Sequence, residues 1–454
     1  MKSIWYKTNE DAKKKMFAFA DEYKDFISKG KTEREAVDVS VALVEKAGFK
    51  NLASVEKLSP GDKVYAVNMN KDIVAFVIGK KHLTEGLNIV GAHIDSPRLD
   101  LKQNPLYEDH ELALLDTHYY GGVKKYQWVA TPMALHGVVC KTDGSKVNIV
   151  IGEEDSDPVV GISDLLIHLS SDQMKKTGAT VVEGEDLNVL VGSIPDTSEE
   201  KDAVKKAVLD LLKDKYGIEE RDFISAEIEV VPAGKARDYG LDRSLIMGYG
   251  HDDRVCAFTS LKAVMDVKDP ERTTCAILVD KEEVGSVGAT GMHSAFFANT
   301  IMELLDKSDR YCEMRLRRTL ANSKMLSSDV AAGFDPNYPA VNELKNTAFM
   351  GYGLVLTKFT GRGGKGGASD ANPEFIAEVR KALDDNEVQF QTAEIGKVDQ
   401  GGGGTIAYIC ANYNMQVLDA GIAVQNMHAP WEVVSKADVY EAYLGYKAFL
   451  KDIK

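Results

Sequence analysis

Residues 87–97 read LNIVGAHIDSP, an apolar run that leads into a histidine, an aspartate and a proline. The apolar part, residues 87–92, is typical of a strand buried in a sheet. His93 and Asp95 then lie at the carboxyl end of that strand, where open α/β sheets collect their functional side chains. This stretch predicts an α/β fold with a polar site at one edge of its sheet.

Similar segments occur on both sides of a long interruption. The runs 64–67, 73–78 and 274–279 predict strands, 406–412 is strand-like, and helical spacing marks 9–48, 291–305, 371–385 and 436–450. Residues 1–99 and 241–454 therefore predict one discontinuous α/β domain. Residues 100–240 carry mostly strand-like runs and one helix-like stretch at 198–215, which predicts an inserted β-rich domain.

Composition indicates an ordinary globular protein. Of 454 residues, 44% are hydrophobic and 28% charged, and 55 basic against 70 acidic residues give a net charge of −15. This balance argues against general binding to nucleic acid or to an anionic membrane. No run approaches the ~18 apolar residues of a spanning helix, and the first residues lack the apolar run of a signal peptide. With five scattered cysteines and no C-x-x-C pair, we expect a cytoplasmic protein without a thiolate zinc site.

Five polar clusters follow or end apolar runs. They are 91–97 (GAHIDSP), 250–254 (GHDDR), 280–285 (DKEEVG), 327–329 (SSD) and 426–429 (NMHA). Taken singly, each has an ordinary structural explanation, such as a core histidine, a salt-bridged turn or a helix cap. Together, two histidines and at least three carboxylates suit a two-cation site, since zinc binds imidazole nitrogen and carboxylate oxygen.

The spacing within two clusters suggests separate roles. Asp95, two residues after His93, can accept the second ring N–H of His93 or lie beside it under the metal. Glu282 and Glu283 are adjacent, so one can bind metal while the other faces substrate as a general base. Two ions at a spacing of about 3.5–4 Å would activate a shared water for attack on an amide.

In this order, the motifs GAHIDSP, DDR, DKEEVGS, SSD and MHAPWE resemble those of the M18 metalloaminopeptidases, the family of aspartyl aminopeptidase and vacuolar aminopeptidase I. The resemblance implies a zinc-peptidase-like α/β/α catalytic domain. It also implies two Zn²⁺ per subunit, with Co²⁺ or Mn²⁺ as substitutes. The implied roles are His93 and Asp329 on one zinc, Glu283 and His428 on the other, Asp252 bridging, Glu282 as base, and Asp95 as partner of His93.

The resemblance also implies an assembly. The inserted domain would mediate dimers, and the dimers would build a dodecamer. His168, in the segment DLLIHL, resembles the family histidine that reaches a neighbour's active site and stabilises the oxyanion. The sequence around His168, taken alone, indicates an ordinary histidine of the core or the surface.

The resemblance does not fix which N-terminal residue the substrate carries. Lys358 resembles the basic residue that recognises an acidic N-terminal side chain, but residues 363–370 contain no counterpart of the family's tyrosine. An acidic preference and a neutral or broad one are both compatible with this pattern. The glycine run 361–367 does not match a phosphate-binding loop. The run 401–404 suits tight turns or a close backbone approach to a ligand, and the resemblance implies that it forms a pocket wall.

The function predicted is removal of the N-terminal residue from peptides with a free amine. Two alternatives remain open at this point. One is another co-catalytic zinc amide hydrolase of the same clan, and the other is a silent, shell-forming scaffold that keeps the fold.

Overall fold

The computed structural model describes residues 2–454, which form two compact units. The first unit comprises the chain up to Asp95, Ala236–Met427 and Glu432–Lys454. The second unit comprises Ser96–Lys235 together with the short segment His428–Trp431. The first unit therefore joins three stretches that are distant in sequence.

Within residues 2–454, the chain forms nine α-helices and twenty strands, apart from short 3₁₀ turns. The helices are α1 (Glu10–Lys29), α2 (Glu33–Lys46), α3 (Ala203–Tyr216), α4 (His251–Asp266), α5 (Phe296–Ser308), α6 (Glu313–Ala321), α7 (Pro373–Asp385), α8 (Ala407–Ala411) and α9 (Lys436–Asp452). The strands are β1 (Lys50–Asn51), β2 (Lys63–Asn68), β3 (Asp72–Val77), β4 (Asn88–His93), β5 (Arg98–Asp109), β6 (Leu112–Tyr120), β7 (Met133–Cys140), β8 (Lys146–Ile151), β9 (Val189–Gly192), β10 (Ala226–Pro232), β11 (Arg237–Tyr239), β12 (Leu245–Gly248), β13 (Thr274–Val279), β14 (Lys324–Ser327), β15 (Ala331–Ala332), β16 (Leu354–Thr357), β17 (Phe390–Thr392), β18 (Gln416–Gly421), β19 (Ala423–Gln425) and β20 (Glu432–Ser435).

A nine-stranded sheet forms the centre of the first unit, in the order β1-β2-β3-β13-β4-β14-β18-β16-β17. Strands β13, β4, β14 and β18 run parallel to one another. The register pairs His93 with Val279 of β13, and Gly91 with Ser327 of β14. Because neighbouring parallel strands end at one edge of a sheet, the residues after β4, β13 and β14 come together there. A second sheet of this unit has the order β11-β12-β20-β19-β15.

Helices cover both faces of the large sheet. Along β4, Val90 and Ala92 belong to a core cluster that also contains residues of α1, α2, α4, α7 and α9. The alternate residue Ile89 belongs to a second cluster, with residues of α5, α6 and α8. Since successive strand side chains point to opposite faces, these clusters are the two layers of an α/β/α arrangement. The predicted α/β fold is confirmed.

One predicted element is wrong. Residues 406–412 were expected to form a strand, but the structure forms the short helix α8 there. Ile406, Ala407, Ile409 and Cys410 are all buried. Apolar residues at i, i+3 and i+4 line one side of a helix turn, and a short apolar run does not distinguish this case from a buried strand.

The second unit is built on an antiparallel sheet of six strands in the order β8-β7-β10-β5-β6-β9. The hairpins β5–β6 and β7–β8 supply its local pairings. Helix α3 packs against β5, β6 and β9. This unit contains the residues for which the sequence indicated a β-rich texture.

A buried carboxylate links α9 to the backbone of residues 351–353. Asp438, in the first turn of α9, accepts the backbone N–H of Gly351 at 2.6 Å on Oδ2 and that of Gly353 at 2.7 Å on Oδ1. Burial raises the pKa of Asp438 to about 7. The position is thus held by two specific hydrogen bonds that need both carboxylate oxygens.

We expect Asp438→Asn to lower the free energy of unfolding by about 1–3 kcal/mol, because an amide offers one oxygen to two N–H donors. The folded-state pKa lies above the unfolded value of roughly 4, so protonation contributes stability at low pH that is lost as pH rises through the folded value. The difference between wild type and variant should therefore be larger at pH 5 than at pH 8. Urea titrations at both pH values measure it. Asp306→Asn, at an exposed position of α5, is the control, and a pH-independent difference for Asp438→Asn would contradict the assignment.

Candidate metal centre

Four segments bring candidate ligands together in the first unit. His93 ends β4, Glu282 and Glu283 follow β13, Asp329 follows β14, and Asp252 lies in the first turn of α4. The ligand atoms of His93, Asp252 and Asp329 lie within 4.8 Å of one another, as do those of His93, Glu282 and Glu283. The shared histidine makes these two sets one cluster.

His93 has a defined orientation. Its Nδ1 lies 2.9 Å from the main-chain oxygen of Asp95 and 3.2 Å from the Asp95 carboxylate. Its Nε2 lies 3.1 Å from Oδ1 of Asp252 and 3.9 Å from Oε2 of Glu282. A main-chain oxygen only accepts, so Nδ1 carries a proton, and the neutral form of the ring then has its lone pair on Nε2.

The Asp95 carboxylate also fixes the segment that carries the two glutamates. Its Oδ1 accepts the backbone N–H of Glu282 at 3.1 Å, and its Oδ2 accepts that of Glu283 at 3.1 Å. The side chain of Asp95 is fully buried. One carboxylate therefore links the end of β4 to the turn after β13 and sets both glutamates relative to His93.

The far side of that turn is held by residues for which the sequence analysis assigned no role. Asp72, at the start of β3, accepts the backbone N–H of Asp280 at 3.0 Å and the side-chain amide of Asn68 at 2.7 Å. Thr290 donates its hydroxyl to Asp280 at 2.6 Å. Burial raises the pKa of Asp72 to about 7. The sequence did contain a signal for Asp72, because it is a charged residue directly before the apolar run 73–78. Burying a carboxylate costs free energy unless its oxygens accept hydrogen bonds.

Asp252 is held in place by another buried carboxylate, that of Glu432. Its backbone N–H donates to Oε2 of Glu432 at 3.0 Å, and Glu432 is buried at the start of β20. Gly250, just before α4, has a φ of 73°, a conformation that glycine adopts without strain. The sequence motif MHAPWE included Glu432, but only the structure shows its bond to the segment of Asp252.

Asp329 lies where β14 and β18 approach closely. The backbone N–H of Ser328 donates to the carbonyl of Gly91 at 2.6 Å, which ties the segment to β4. A Cβ at Gly421 of β18 would lie 1.6 Å from the main-chain oxygen of Asp329. Only glycine permits this approach at position 421.

The donors of the cluster fit zinc. Burial, followed by the charge of Asp253, raises the pKa of Asp329 well above its usual range. Although burial lowers it, hydrogen bonds to Asp252 and Asp95 hold the pKa of His93 well above its ordinary value. Several carboxylates share a buried space, and a divalent cation would offset their repulsion. One imidazole nitrogen with carboxylate oxygens is a donor set that zinc accepts.

The remaining predicted site residues are His428, His168 and Lys358. His428 belongs to the second unit, where its Nδ1 lies 2.8 Å from the carbonyl of Gly122. His168 is exposed on a 3₁₀ turn of the same unit. Lys358 follows β16 in the first unit and lies 3.7 Å from Asp370.

The glycine-rich segments of the first unit border a cavity. Residues from the segments 359–365 and 394–402, without Arg362 and Gln400, line a space of about 350 Å³. Gly401 and Gly402 form part of its wall, the position predicted for this glycine run.

Comparison with known proteins then decides the family. Residues 26–450 match a family described as aminopeptidase I zinc metalloprotease (M18). The chain belongs to the M18 family. A probable M18 family aminopeptidase 1 of Clostridium acetobutylicum is 58% identical over 99% of this chain and 98% of its own length. The crystal structure of an M18 aminopeptidase from Thermotoga maritima superposes with a TM-score of 0.95 at 44% identity, over 99% of both chains.

A more distant structure shares only the fold. The S. cerevisiae mApe1 dodecamer has a TM-score of 0.77 at 20% identity, covering 95% of this chain and 96% of that one.

Membership makes this M18 protein a peptidase hydrolase, an aminopeptidase of a zinc metalloprotease family. The resemblance recognised in the sequence motifs is confirmed. The full-length relatives support the aminopeptidase over the two alternatives left open by the sequence. Within residues 2–454, no helix has the length and apolar character to cross a bilayer.

We expect Asp95→Asn to weaken zinc binding or activity by about 10–100-fold, because the amide removes one of two acceptors and turns an NH₂ group towards a backbone N–H. Competition with a chromophoric chelator measures zinc affinity, and turnover at saturating zinc measures activity. Asp306→Asn repeats the chemical change at an exposed position. Wild-type zinc affinity and turnover in Asp95→Asn would contradict the role given to this carboxylate.

Proposed function

We propose that the protein is a dinuclear zinc aminopeptidase. In this proposal His93 and Asp329 would hold one ion, Glu283 and His428 would hold the other, and Asp252 would contribute to both. The observation that carries it is the cluster of His93 with Asp252, Asp329 and both glutamates. His428 suits its role because the carbonyl of Gly122 takes the Nδ1 proton, which places the lone pair of the neutral ring on Nε2. Co²⁺ or Mn²⁺ could substitute, since both accept nitrogen and oxygen donors.

Glu282 is the general base of the proposed reaction. Zinc held by these residues would supply Lewis acidity, which would lower the pKa of a water and polarise the N-terminal peptide carbonyl. Glu282 takes the proton of that water and later donates it to the departing amine. Its backbone N–H is held by Asp95, so its position relative to His93 is fixed before substrate arrives. Asp95 itself keeps the proton of His93 on Nδ1.

We expect Glu282→Gln to reduce kcat by about 10²–10⁴-fold with little change in zinc content, because the amide cannot carry the proton. Leu-p-nitroanilide turnover and metal analysis on one preparation measure both. Glu271→Gln, an exposed glutamate paired with Lys80, should behave as wild type. N-blocked substrates should not be cleaved by any form. Full activity of Glu282→Gln would overturn the base assignment, and activity insensitive to chelator would overturn the metal mechanism.

The second unit is proposed to mediate a homo-oligomer, a dodecamer built from dimers and located in the cytoplasm. Leu165, Leu166, Ile167 and Leu169 surround His168, and each is 46–70% exposed. A contiguous exposed apolar segment of this kind marks an interaction surface. The distant mApe1 structure is itself a dodecamer. In this arrangement His168 reaches the active site of a neighbouring subunit and stabilises the oxyanion.

We expect His168→Ala to reduce kcat by about 10²–10³-fold, the effect of losing one oxyanion donor. Co-expression of His168→Ala with Glu282→Gln should then restore activity. If the two residues serve one site from different chains, random mixing gives about a quarter of sites with both intact. Hybrids purified through two different tags are compared with mixtures of the separately purified oligomers. No recovery in hybrids would show that His168 acts, if at all, within its own chain.

Lys358 is proposed to contact the N-terminal side chain of the substrate. Lys358 and Lys365 both approach Asp370, at 3.7 and 2.9 Å. Two ammonium groups therefore share one carboxylate, and one positive charge remains uncompensated at this position. The uncompensated positive charge is compatible with a preference for an acidic N-terminal side chain. Because Asp370 partly neutralises both lysines, a neutral or broad preference is also compatible.

A further inference from the structure

The second unit contains a cavity that the proposed mechanism does not use. It has a volume of about 510 Å³ and is lined by Tyr119, residues 121–126 and residues 178–179. Cavities of this size accept ligands of a few residues, larger than one amino acid. The glycines leave the backbone accessible, and the two tyrosines, Tyr119 and Tyr126, give it aromatic walls.

The cavity is positively charged in a protein of net charge −15. Lys124 and Lys125 line it, and among residues 2–454 no aspartate or glutamate does. The ammonium of Lys125 lies 5.9 Å from the ring centroid of Tyr119. No carboxylate of the described chain forms an ion pair with either lysine, so their charge is available to a ligand. The chemistry that complements this lining is a carboxylate on a short, partly apolar chain.

One wall of the cavity adjoins a residue of the proposed mechanism. Gly122, a lining residue, has the carbonyl that lies 2.8 Å from Nδ1 of His428. Both residues belong to the second unit. Because His428 is a metal ligand in the proposed function, the cavity borders a residue of the proposed zinc site.

We propose that this cavity binds a carboxylate on the leaving side of the substrate, beyond the bond that is cleaved. This inference rests on the proposed function. An aminopeptidase has one residue ahead of that bond, and the contact proposed for its side chain is Lys358 of the first unit. The larger cavity is suited to the residues that follow. The carboxylate is either the C-terminus of a short peptide or an acidic side chain, and both would pair with Lys124 and Lys125.

The test compares substrates that differ only in the downstream carboxylate. Wild type should cleave Leu-Ala-Ala with a kcat/KM about 3–10-fold above that of its C-terminal amide, the modest gain expected for solvent-accessible ion pairs. Leu-Ala-Glu-amide against Leu-Ala-Ala-amide gives the same comparison for an acidic side chain. A higher kcat/KM for the acid of the first pair shows that the cavity binds a C-terminal carboxylate. A higher kcat/KM for the glutamate peptide of the second pair shows that it binds an acidic side chain. Salt should reduce either advantage.

The double variant Lys124→Met/Lys125→Met should remove this advantage. It should leave Leu-p-nitroanilide turnover unchanged, because that substrate has no downstream residue. The double variant Lys146→Met/Lys201→Met, at exposed positions of the same unit, is the matched control and should keep the advantage. Light scattering reports the oligomer mass of every form.

The outcomes separate this inference from the proposed function. Wild type that cleaves none of Leu-, Asp- and Glu-p-nitroanilide refutes the proposed aminopeptidase mechanism itself. Wild type that cleaves any of them, but treats acids and amides alike in both pairs, overturns only the cavity assignment. A changed oligomer mass in Lys124→Met/Lys125→Met also overturns it, because the lysines would then serve a subunit contact.

Discussion

The carboxylate of Asp95 is the interaction on which the site depends. It receives the backbone N–H groups of Glu282 and Glu283 and contacts Nδ1 of His93. A fully buried carboxylate is tolerated only when its oxygens are bonded, so these donors cannot move away without a large cost in free energy. The same bonds that stabilise a buried charge therefore fix Glu282 and Glu283 relative to the imidazole of His93.

The sheet makes this interaction possible. Three neighbouring parallel strands end at one edge, and α4 brings Asp252 to the same place. The polar residues there are held by further buried carboxylates, Asp72 behind Asp280 and Glu432 behind Asp252. The result is a group of carboxyl side chains with few permitted arrangements, whose mutual repulsion a divalent cation would offset.

The sequence predicted the parts of this picture that depend on local pattern. Long apolar runs marked β4 and β13, and the polar residues that follow them include His93 and Glu283. The supporting roles of Glu432 and Asp72 were not predicted because their hydrogen-bond partners are remote in sequence. Glu432 bonds to a residue 180 positions away, and Asp72 bonds to one 208 positions away. Helix α8 escaped because five residues of apolar sequence carry too little periodicity to separate helix from strand. The motifs identified candidate ligands, and only the tertiary contacts show which residues hold them in place.

The division of the first unit into three segments has a consequence for synthesis. The central strand β4 pairs with β13 and β14, so its neighbours leave the ribosome some 180 to 230 residues later. The second unit has hairpins that pair residues close in sequence and can form early, whereas the large sheet must wait for its remote strands. His93 emerges long before Asp252, Glu283 and Asp329. The nascent chain thus carries no assembled candidate metal centre until most of it has been made.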